Sequence, residues 1–155
     1  MNPRFSEVIK NLDSLYTELL AMPLFIASSL PKTMPKKGIY LFSENGKYLY
    51  VGRSNNIRGR IGRHCRPGAT HRMGAFAFHL AREATGYLKA TYKKVGSRKA
   101  LMEIPEFSNA FSKAKERIRR MELQFIEVDD PIQQAIFEVY LSVALQTPYN
   151  DFDTH

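Results

Sequence analysis

A run of arginines in the first half of the chain is the densest group of residues that could do chemistry. The stretch from Val51 to Arg72 contains six arginines and no aspartate or glutamate. A guanidinium can hold two phosphate oxygens at once in a fixed orientation, which a lysine ammonium does not do. The stretch therefore predicts a phosphate-binding surface, and nucleic acid is the macromolecule that presents phosphates in a row.

A single carboxylate lies in the most apolar segment of the sequence. From Pro131 to Asn150 the only residue that is charged at neutral pH is Glu138. A helix that is apolar nearly all round is normally buried, and a buried carboxylate must be protonated, paired or bound to a cation. Two alternatives follow: a divalent cation held by Glu138, water and phosphate oxygens, or a structural ion pair with Arg60 or Arg53.

Two tyrosines lie on either side of a predicted hairpin turn. Apolar residues alternate in KGIYLFS and KYLYVG, and the Asn45-Gly46 dipeptide between them is a strong hairpin signal. A two-residue turn would send Tyr40 and Tyr50 to opposite faces of the sheet, because strand side chains alternate. A three-residue loop that starts at Glu44, with Gly46 left-handed in a bulge, would place the tyrosines opposite each other. We predict the three-residue loop.

A short helix is predicted directly after the hairpin, over residues 55–65. Ile57 and Ile61 are four residues apart and define its buried face. Arg60 and His64 fall on or beside that face, one helical turn apart. An arginine at this position can reach a phosphate while its stem stays packed, and the structural alternative is a salt bridge.

The remaining pattern predicts an α+β fold, with a small central antiparallel sheet of about three strands flanked by helices. Periodicity indicates helices at residues 3–20, 74–85, 108–120 and 131–145, and a third strand at residues 121–128. The segment 87–99 is ambiguous between strand and loop. We expect one domain, in which residues 1–36 form a helical extension packed on residues 37–155, with a basic insertion at about residues 67–120.

Charge is distributed unevenly along the chain. Residues 53–120 carry seventeen lysines and arginines against four acids, whereas residues 121–155 carry seven acids and neither lysine nor arginine. No apolar run approaches the roughly 20 residues needed to cross a bilayer. Cys65 is the only cysteine, so no internal disulfide can form. We expect a soluble, cytoplasmic protein that makes no membrane contact.

Together these residues resemble the GIY-YIG nuclease superfamily. The resemblance covers residues 37–66 and 121–150, in the order in which the family has them. The matching positions are Tyr40 at the end of GIY, Tyr50 at the start of YIG, Arg60 eight residues beyond Gly52, His64 one turn later, Glu138 as the metal-binding glutamate and Asn150 in the ending LQTPYN.

The resemblance implies hydrolysis of phosphodiester bonds in DNA with one Mg²⁺ or Mn²⁺. Glu138 would hold the metal, Arg60 would stabilise charge on the phosphoryl group, and Tyr40 would activate the attacking water, with Tyr50 as the alternative base. His64 would hold that tyrosine or a water in place. The residues expected to bind nucleic acid are Arg53, Arg58, Arg63, Arg66 and Asn150.

The sequence leaves two other functions to compare with an endonuclease. A catalytically inactive nucleic-acid-binding module of the same fold is the alternative to an endonuclease, although binding alone needs no lone buried carboxylate. A zinc protein using His64, Cys65, His71 and His79 lacks the paired short spacings of structural zinc sites. DNA is the expected substrate and RNA the alternative. A double-strand cut would need a homodimer or sequential nicking, because each chain would carry one active site.

Overall fold

The computed structural model describes residues 1–87 and 97–153 and has the predicted α+β fold. One three-stranded antiparallel sheet has the order β2-β1-β3, formed by β1 (Gly38–Glu44), β2 (Lys47–Ser54) and β3 (Glu122–Glu127). The helices are α1 (Pro3–Ile9), α2 (Leu12–Ala21), a 3-10 turn (Ala27–Ser29), α3 (Ile57–Cys65), α4 (Ala75–Thr85), α5 (Arg98–Met102), α6 (Pro105–Arg119) and α7 (Pro131–Leu145). The prediction for residues 87–99 lies mostly outside the described residues.

The chain divides into two compact units. The first contains residues 1–58 and 121–155, and the second contains residues 59–120, so the boundary falls within α3. The second unit begins eight residues before the predicted basic insertion. None of the helices formed by the described residues is long and apolar enough to cross a membrane.

The core of the first unit lies on one face of the sheet. Alternate strand residues point to this face and pack against α2 and α7; they are Ile39, Leu41, Val51 and Ile126 from the strands and Leu12, Leu19, Phe137 and Leu141 from the helices. The opposite face carries Tyr40, Phe42 and Tyr50, because side chains alternate along a strand. The N-terminal extension therefore supplies part of the core that stabilises the sheet.

The N-terminal extension also covers the outer edge of β3. Phe25 and Leu123 exchange two backbone hydrogen bonds, with N···O distances of 2.9 and 2.7 Å. The Phe125 amide donates to Met22 Sδ at 3.1 Å, and the buried Gln124 amide donates to the carbonyls of Leu20 and Met22. An uncovered strand edge invites pairing with other chains, and this segment occupies that edge.

The predicted single helix over residues 3–20 is wrong, because the structure breaks it between Ile9 and Leu12. Asn11 has non-helical backbone angles there, and its side-chain oxygen accepts a hydrogen bond from Gln133 on α7 at 2.6 Å. A side chain that bonds elsewhere at a helix end favours a break. The other predicted helices are confirmed, with ends within about three residues of their predicted positions.

The core of the second unit is aromatic. The Phe78 ring on α4 lies 5.0 Å from the Phe107 ring and 6.3 Å from the Phe111 ring, both on α6, measured between centroids. Arg82 and Arg98 each place a guanidinium about 5 Å from the centre of the Phe78 ring. Cation-π contacts of this kind add to the burial of the aromatic rings.

Candidate functional site

The hairpin brings the two motif tyrosines onto one face of the sheet, by a route that differs from the predicted loop. Asn45 and Gly46 form a two-residue turn with φ angles of 53° and 78°, and Glu44 pairs with Lys47. These left-handed angles are those of a type I′ turn, which matches the twist of paired strands. The predicted three-residue loop is therefore wrong.

A bulge within the strands restores the shared face. The register shifts between Phe42 and Ser43, so that Leu49 is left unpaired and Tyr50 lies opposite Phe42. Tyr40 pairs with Gly52, two residues further along, and the centroids of the Tyr40 and Tyr50 rings are 6.5 Å apart. One extra residue in a strand reverses the face of every residue beyond it, which is the effect that the predicted loop would have had.

Gly52 provides the space in which the Tyr40 side chain lies. A Cβ atom at Gly52 would lie 2.2 Å from both Cζ and the hydroxyl oxygen of Tyr40. Tyr40 is only 1% exposed, whereas Tyr50 is half-buried. The Tyr40 hydroxyl is thus held directly over the backbone of β2. The sequence motif did not indicate this role for Gly52; a glycine in a strand next to a bulky partner is the signal for such a close approach.

Glu138 lies beside Arg53 at the edge strand. The distance from Arg53 Nε to Glu138 Oε1 is 4.0 Å, and the two side chains are 45% and 23% exposed. A pair this long and this exposed contributes little to stability. Of the two arginines considered as ion-pair partners, the structure shows Arg53 beside the carboxylate.

The premise that Glu138 lies on a fully buried helix is wrong. The face of α7 that points away from the core carries apolar residues that are 62%, 46% and 73% exposed, namely Ile132, Val139 and Val143. An apolar residue count cannot distinguish a buried face from an exposed one. Glu138 is half-buried. Burial alone therefore does not require its carboxylate to be protonated, paired or bound to a cation.

Arg53 and Glu138 lie on the opposite face of the sheet from the two tyrosines. Arg53 pairs with Ile39, whose side chain packs toward α7, whereas Tyr50 pairs with Phe42 on the other face. Tyr50 and Arg53 both belong to β2 and are about 10 Å apart along the strand. β2 is an edge strand, so its outer edge is not paired with another strand of the sheet.

The amide of Asn150 binds the edge of β2. Its Oδ1 accepts from the Val51 backbone N–H at 2.9 Å, and its Nδ2 donates to the Val51 carbonyl at 2.7 Å. These are the two bonds that a neighbouring strand would make. Asn150 was predicted to bind nucleic acid. In this structure its amide oxygen and its amide nitrogen both bond the strand that carries Tyr50.

Two side chains that the sequence singled out lie on α3 in the second unit. Arg60 is exposed, whereas His64 is 1% exposed and its ring lies 6.4 Å from that of Phe76. Burial, with a smaller contribution from the positive charge of Arg60, lowers the pKa of His64 from 6.5 to about 3. The imidazole is therefore neutral at neutral pH, and the cationic imidazolium form is not available as a proton donor.

The predicted nucleic-acid-binding arginines are all exposed, but they differ in what they contact. The Arg58 guanidinium donates to the carbonyls of Pro31 and Lys32, and that of Arg66 lies 3.7 Å from Met73 Sδ. Within residues 1–87 and 97–153, no carboxylate lies within 4 Å of Arg60 or Arg63. Arg60 and Arg63 on α3 are both exposed to solvent.

Gln134 is a buried polar residue of the first unit that the sequence pattern did not single out. Gln134 is 2% exposed, and its amide donates to the Val128 carbonyl at 2.6 Å and to Asn55 Oδ1 at 3.4 Å. It ties the start of α7 to the segment that precedes α3. A polar residue on the core side of a helix was the available signal, because buried polar groups are normally hydrogen-bonded.

Comparison with known families agrees with this geometry. The model of the GIY-YIG catalytic domain matches residues 36–150, about three quarters of the chain, and residues 1–35 lie outside the match. No significant match was found among curated proteins or among solved structures. The chain therefore belongs to the GIY-YIG family, whose catalytic domain is a nuclease-type fold that points to a nucleic acid as the substrate.

Proposed function

We propose that the protein is a metal-dependent endonuclease that hydrolyses phosphodiester bonds in DNA. The observation that carries this proposal is the placement of Tyr40 of β1 and Tyr50 of β2 on one face of the sheet, with the Tyr40 hydroxyl held over Gly52. A binding module has no need for two hydroxyl groups fixed by a bulge and a glycine, whereas a hydrolase needs an oriented proton acceptor.

Glu138 supplies one carboxylate that could hold a hard divalent cation. Among the residues that the structure describes, no three histidine, cysteine, aspartate or glutamate side chains are grouped as metal ligands, which disfavours a structural zinc site. Mg²⁺ commonly keeps several waters and uses one or two carboxylates together with substrate phosphate oxygens. Glu138 would hold Mg²⁺ or Mn²⁺ in this way, and the bound ion would polarise the phosphate and stabilise the leaving 3′ oxygen.

A tyrosine hydroxyl would take the proton from the attacking water. We assign this role to Tyr40, with Tyr50 as the alternative. A tyrosine ordinarily has a pKa near 10, so it accepts a proton at neutral pH only with help from nearby positive charge. The metal ion held by Glu138, or a cation near the substrate, would supply that charge.

The arginines of α3 would bind the substrate backbone. Arg60 would stabilise charge that develops on the phosphoryl group, and Arg63 would bind a flanking phosphate, since both are exposed. Such contacts position the strand without reading its sequence. The resemblance gave His64 the role of holding a tyrosine or a water, and its burial against Phe76 favours a supporting role within α3.

Cleavage of supercoiled plasmid tests the proposal. The native protein should nick or linearise the plasmid in Mg²⁺ and lose this activity in excess chelator. Glu138→Ala should abolish cleavage while DNA affinity is retained. Glu127→Ala is the matched control, because Glu127 is an exposed carboxylate at the end of β3, and its removal should leave cleavage unchanged.

Other outcomes would contradict the proposal. Equal cleavage by the native protein and Glu138→Ala would exclude Glu138 as the metal ligand. If the native protein binds DNA in a salt-dependent way but cuts neither DNA nor RNA in Mg²⁺ or Mn²⁺, the inactive binding module is the better description.

Two conservative substitutions distinguish the candidate bases. Tyr40→Phe should lower the single-turnover rate by about 10²-fold or more, which is the usual contribution of a general base, and Tyr50→Phe should lower it less. The rates should be compared at saturating protein, so that differences in DNA affinity do not enter. The reverse order would assign the base to Tyr50.

A further inference from the structure

Helix α6 of the second unit contains a buried lysine. Lys115 is 5% exposed, and its ammonium donates to the backbone carbonyls of Pro67 at 2.8 Å and Ala69 at 2.7 Å. The same ammonium lies 5.0 Å from the centre of the Phe111 ring. Both carbonyls belong to the turn that directly follows α3. Lys115 thus fastens that turn to α6.

A second cation of α6 binds the end of α3 itself. The Arg119 guanidinium donates to the carbonyl of Cys65, the last residue of α3. The final carbonyls of a helix lack partners within the helix and carry partial negative charge. Lys115 and Arg119 are four residues apart and therefore lie on the same side of α6, so that both reach this end of α3.

Loss of the Lys115 contacts is expected to destabilise this end of α3. A buried ammonium is strongly disfavoured unless hydrogen bonds compensate it, and burial together with the nearby Arg119 lowers the pKa of Lys115. Removing the lysine would leave the Pro67 and Ala69 carbonyls without these donors. The loss of a buried donor costs more than the bond itself contributed.

Two other basic residues, Lys113 of α6 and Arg120 directly after it, differ from this pair. Lys113 and Arg120 are exposed, and helical periodicity places them on the side of α6 roughly opposite Lys115 and Arg119. The basic run of the sequence therefore contains cations that hold the backbone and cations that face solvent. Charge alone does not distinguish them.

We infer that Lys115 and Arg119 are positioning residues, which fix the C-terminal end of α3 and with it the helix that carries Arg60 and His64, and that they are not phosphate ligands. The inference rests on the proposed function for its effect on cleavage. A displacement of a reacting group by about 1 Å can cost on the order of 10²-fold in rate. Loosening the end of α3 therefore lowers the rate without removing a contact to DNA.

Four variants test the inference: Lys115→Met, Arg119→Met and the opposite-face controls Lys113→Met and Arg120→Met. Methionine keeps an apolar stem and removes the charge. We measure the single-turnover cleavage rate, the dependence of DNA affinity on salt concentration, and the hydrogen exchange of the Arg66 and Ala69 amides. These two amides donate to the carbonyls of Gly62 and Arg66 at this end of α3.

Lys115→Met and Arg119→Met should each lower the rate by about tenfold or more and speed the exchange of both amides, with the salt dependence unchanged. The controls should leave rate and exchange at native values. Arg119→Lys should recover much of the rate, because it restores a cation at the Cys65 carbonyl. If Lys115→Met does not fold, the comparison of Arg119→Lys with Arg119→Met decides.

A decrease of about 0.9 in the salt slope for Lys115→Met or Arg119→Met, with native exchange, would overturn the inference, because that is the signature of a lost phosphate contact. Unchanged rate and exchange would overturn it as well. If the native protein does not cut DNA, the proposed function fails, and the exchange and salt measurements still decide whether these cations hold α3.

Discussion

At the scale of single residues, the contact between Tyr40 and Gly52 is sensitive to substitution. The Tyr40 ring is almost completely buried, so it cannot move away from a new methyl group without disturbing its neighbours. Gly52→Ala would bring that methyl within 2.2 Å of the hydroxyl oxygen. We expect the cleavage rate to fall by about 10²-fold and the protein to lose about 1–3 kcal/mol of stability from overpacking. Single-turnover kinetics and urea unfolding measure the two effects.

Gly68→Ala is the control for Gly52→Ala. No atom lies within 4 Å of the position that a Cβ would take at Gly68, so the variant should retain native stability and activity. If Gly52→Ala cleaves DNA at the native rate, the position of the Tyr40 hydroxyl does not matter for catalysis. The base would then be Tyr50 or another group.

His64 makes a prediction about stability and pH. The folded protein keeps His64 neutral down to about pH 3, whereas the unfolded chain takes up a proton near pH 6.5. The unfolded state therefore binds more protons between these values, and stability falls as the pH drops below about 6.5. Between pH 7 and pH 5 we expect a loss of about 2 kcal/mol from this residue, measured as the change in the free energy of unfolding in urea.

His64→Phe should remove most of that pH dependence, because phenylalanine does not titrate. His71→Gln should remove less, since His71 is only half-buried, although burial and the charges of Arg72 and Arg98 also lower its pKa. A native pH dependence in His64→Phe would show that His64 is protonated in the folded protein above pH 5.

At the scale of elements, the hairpin shows what the sequence can predict and what it cannot. The paired strands and the turn dipeptide follow from alternation and from Asn45-Gly46. The bulge at Leu49 does not, because it lies inside an unbroken run of strand-forming residues with no glycine or proline to mark it. The requirement that the tyrosines share a face is met by either solution, so it could not select between them.

The helices also differ in how much of them the sequence can predict. α7 begins and ends as predicted, because Asp130 accepts a hydrogen bond from the Gln133 amide and Pro131 follows it at the first helical position. The break at Asn11 depends on Gln133, which lies 122 residues further along the chain. Contacts over such separations leave no signal in a local pattern. The sequence of α7 also does not show which of its apolar residues are exposed, because that depends on which side of the helix packs against the core.

Asn150 makes a prediction for strand β2. Its amide supplies one donor and one acceptor to Val51, whose side chain is fully buried. Asn150→Ala would leave both backbone groups without these partners, and we expect a loss of about 1–3 kcal/mol in the free energy of unfolding. Asn150→Asp should also destabilise, because a carboxylate can accept from the N–H but cannot donate to the carbonyl.

Chemical denaturation measures both Asn150 variants, with Asn109→Ala as the control, since Asn109 is exposed on α6. Hydrogen exchange at the Val51 amide should accelerate in Asn150→Ala. If Asn150→Ala keeps native stability and exchange but loses affinity for DNA, Asn150 acts as the nucleic-acid contact that the resemblance suggested.

At the scale of the whole molecule, the sequence shows where the basic residues are concentrated but not which role each of them has. The sequence places seventeen basic residues between residues 53 and 120. The structure shows that Lys115 and Arg119 hold backbone carbonyls and that Arg58 holds the segment at Pro31. Exposed cations such as Arg60 and Arg63 look the same in the sequence. Only the structure shows which cations bond backbone carbonyls and which face solvent.

The N-terminal extension matters for the first unit as a whole. The family match begins at residue 36, so the match alone suggests that the preceding residues are dispensable. In the structure, however, Leu12 and Leu19 are buried in the core against the sheet, and residues 20–25 bond the outer edge of β3. Removal of a single buried leucine side chain typically costs about 2–5 kcal/mol, which is a large part of the stability of a small protein.

We therefore expect a protein that begins at residue 36 to be insoluble or unfolded, and a protein that lacks only residues 1–9 to fold. α1 contributes no buried residue, although the Val8 carbonyl accepts a hydrogen bond from Gln133, so its loss should lower the melting temperature only slightly. Soluble yield, circular dichroism and thermal unfolding of the two truncated proteins measure the difference. If the protein that begins at residue 36 were monomeric and melted at the native temperature, then Leu12, Leu19 and the bonds to β3 would contribute nothing to the sheet, and the fold would depend on the matched segment alone.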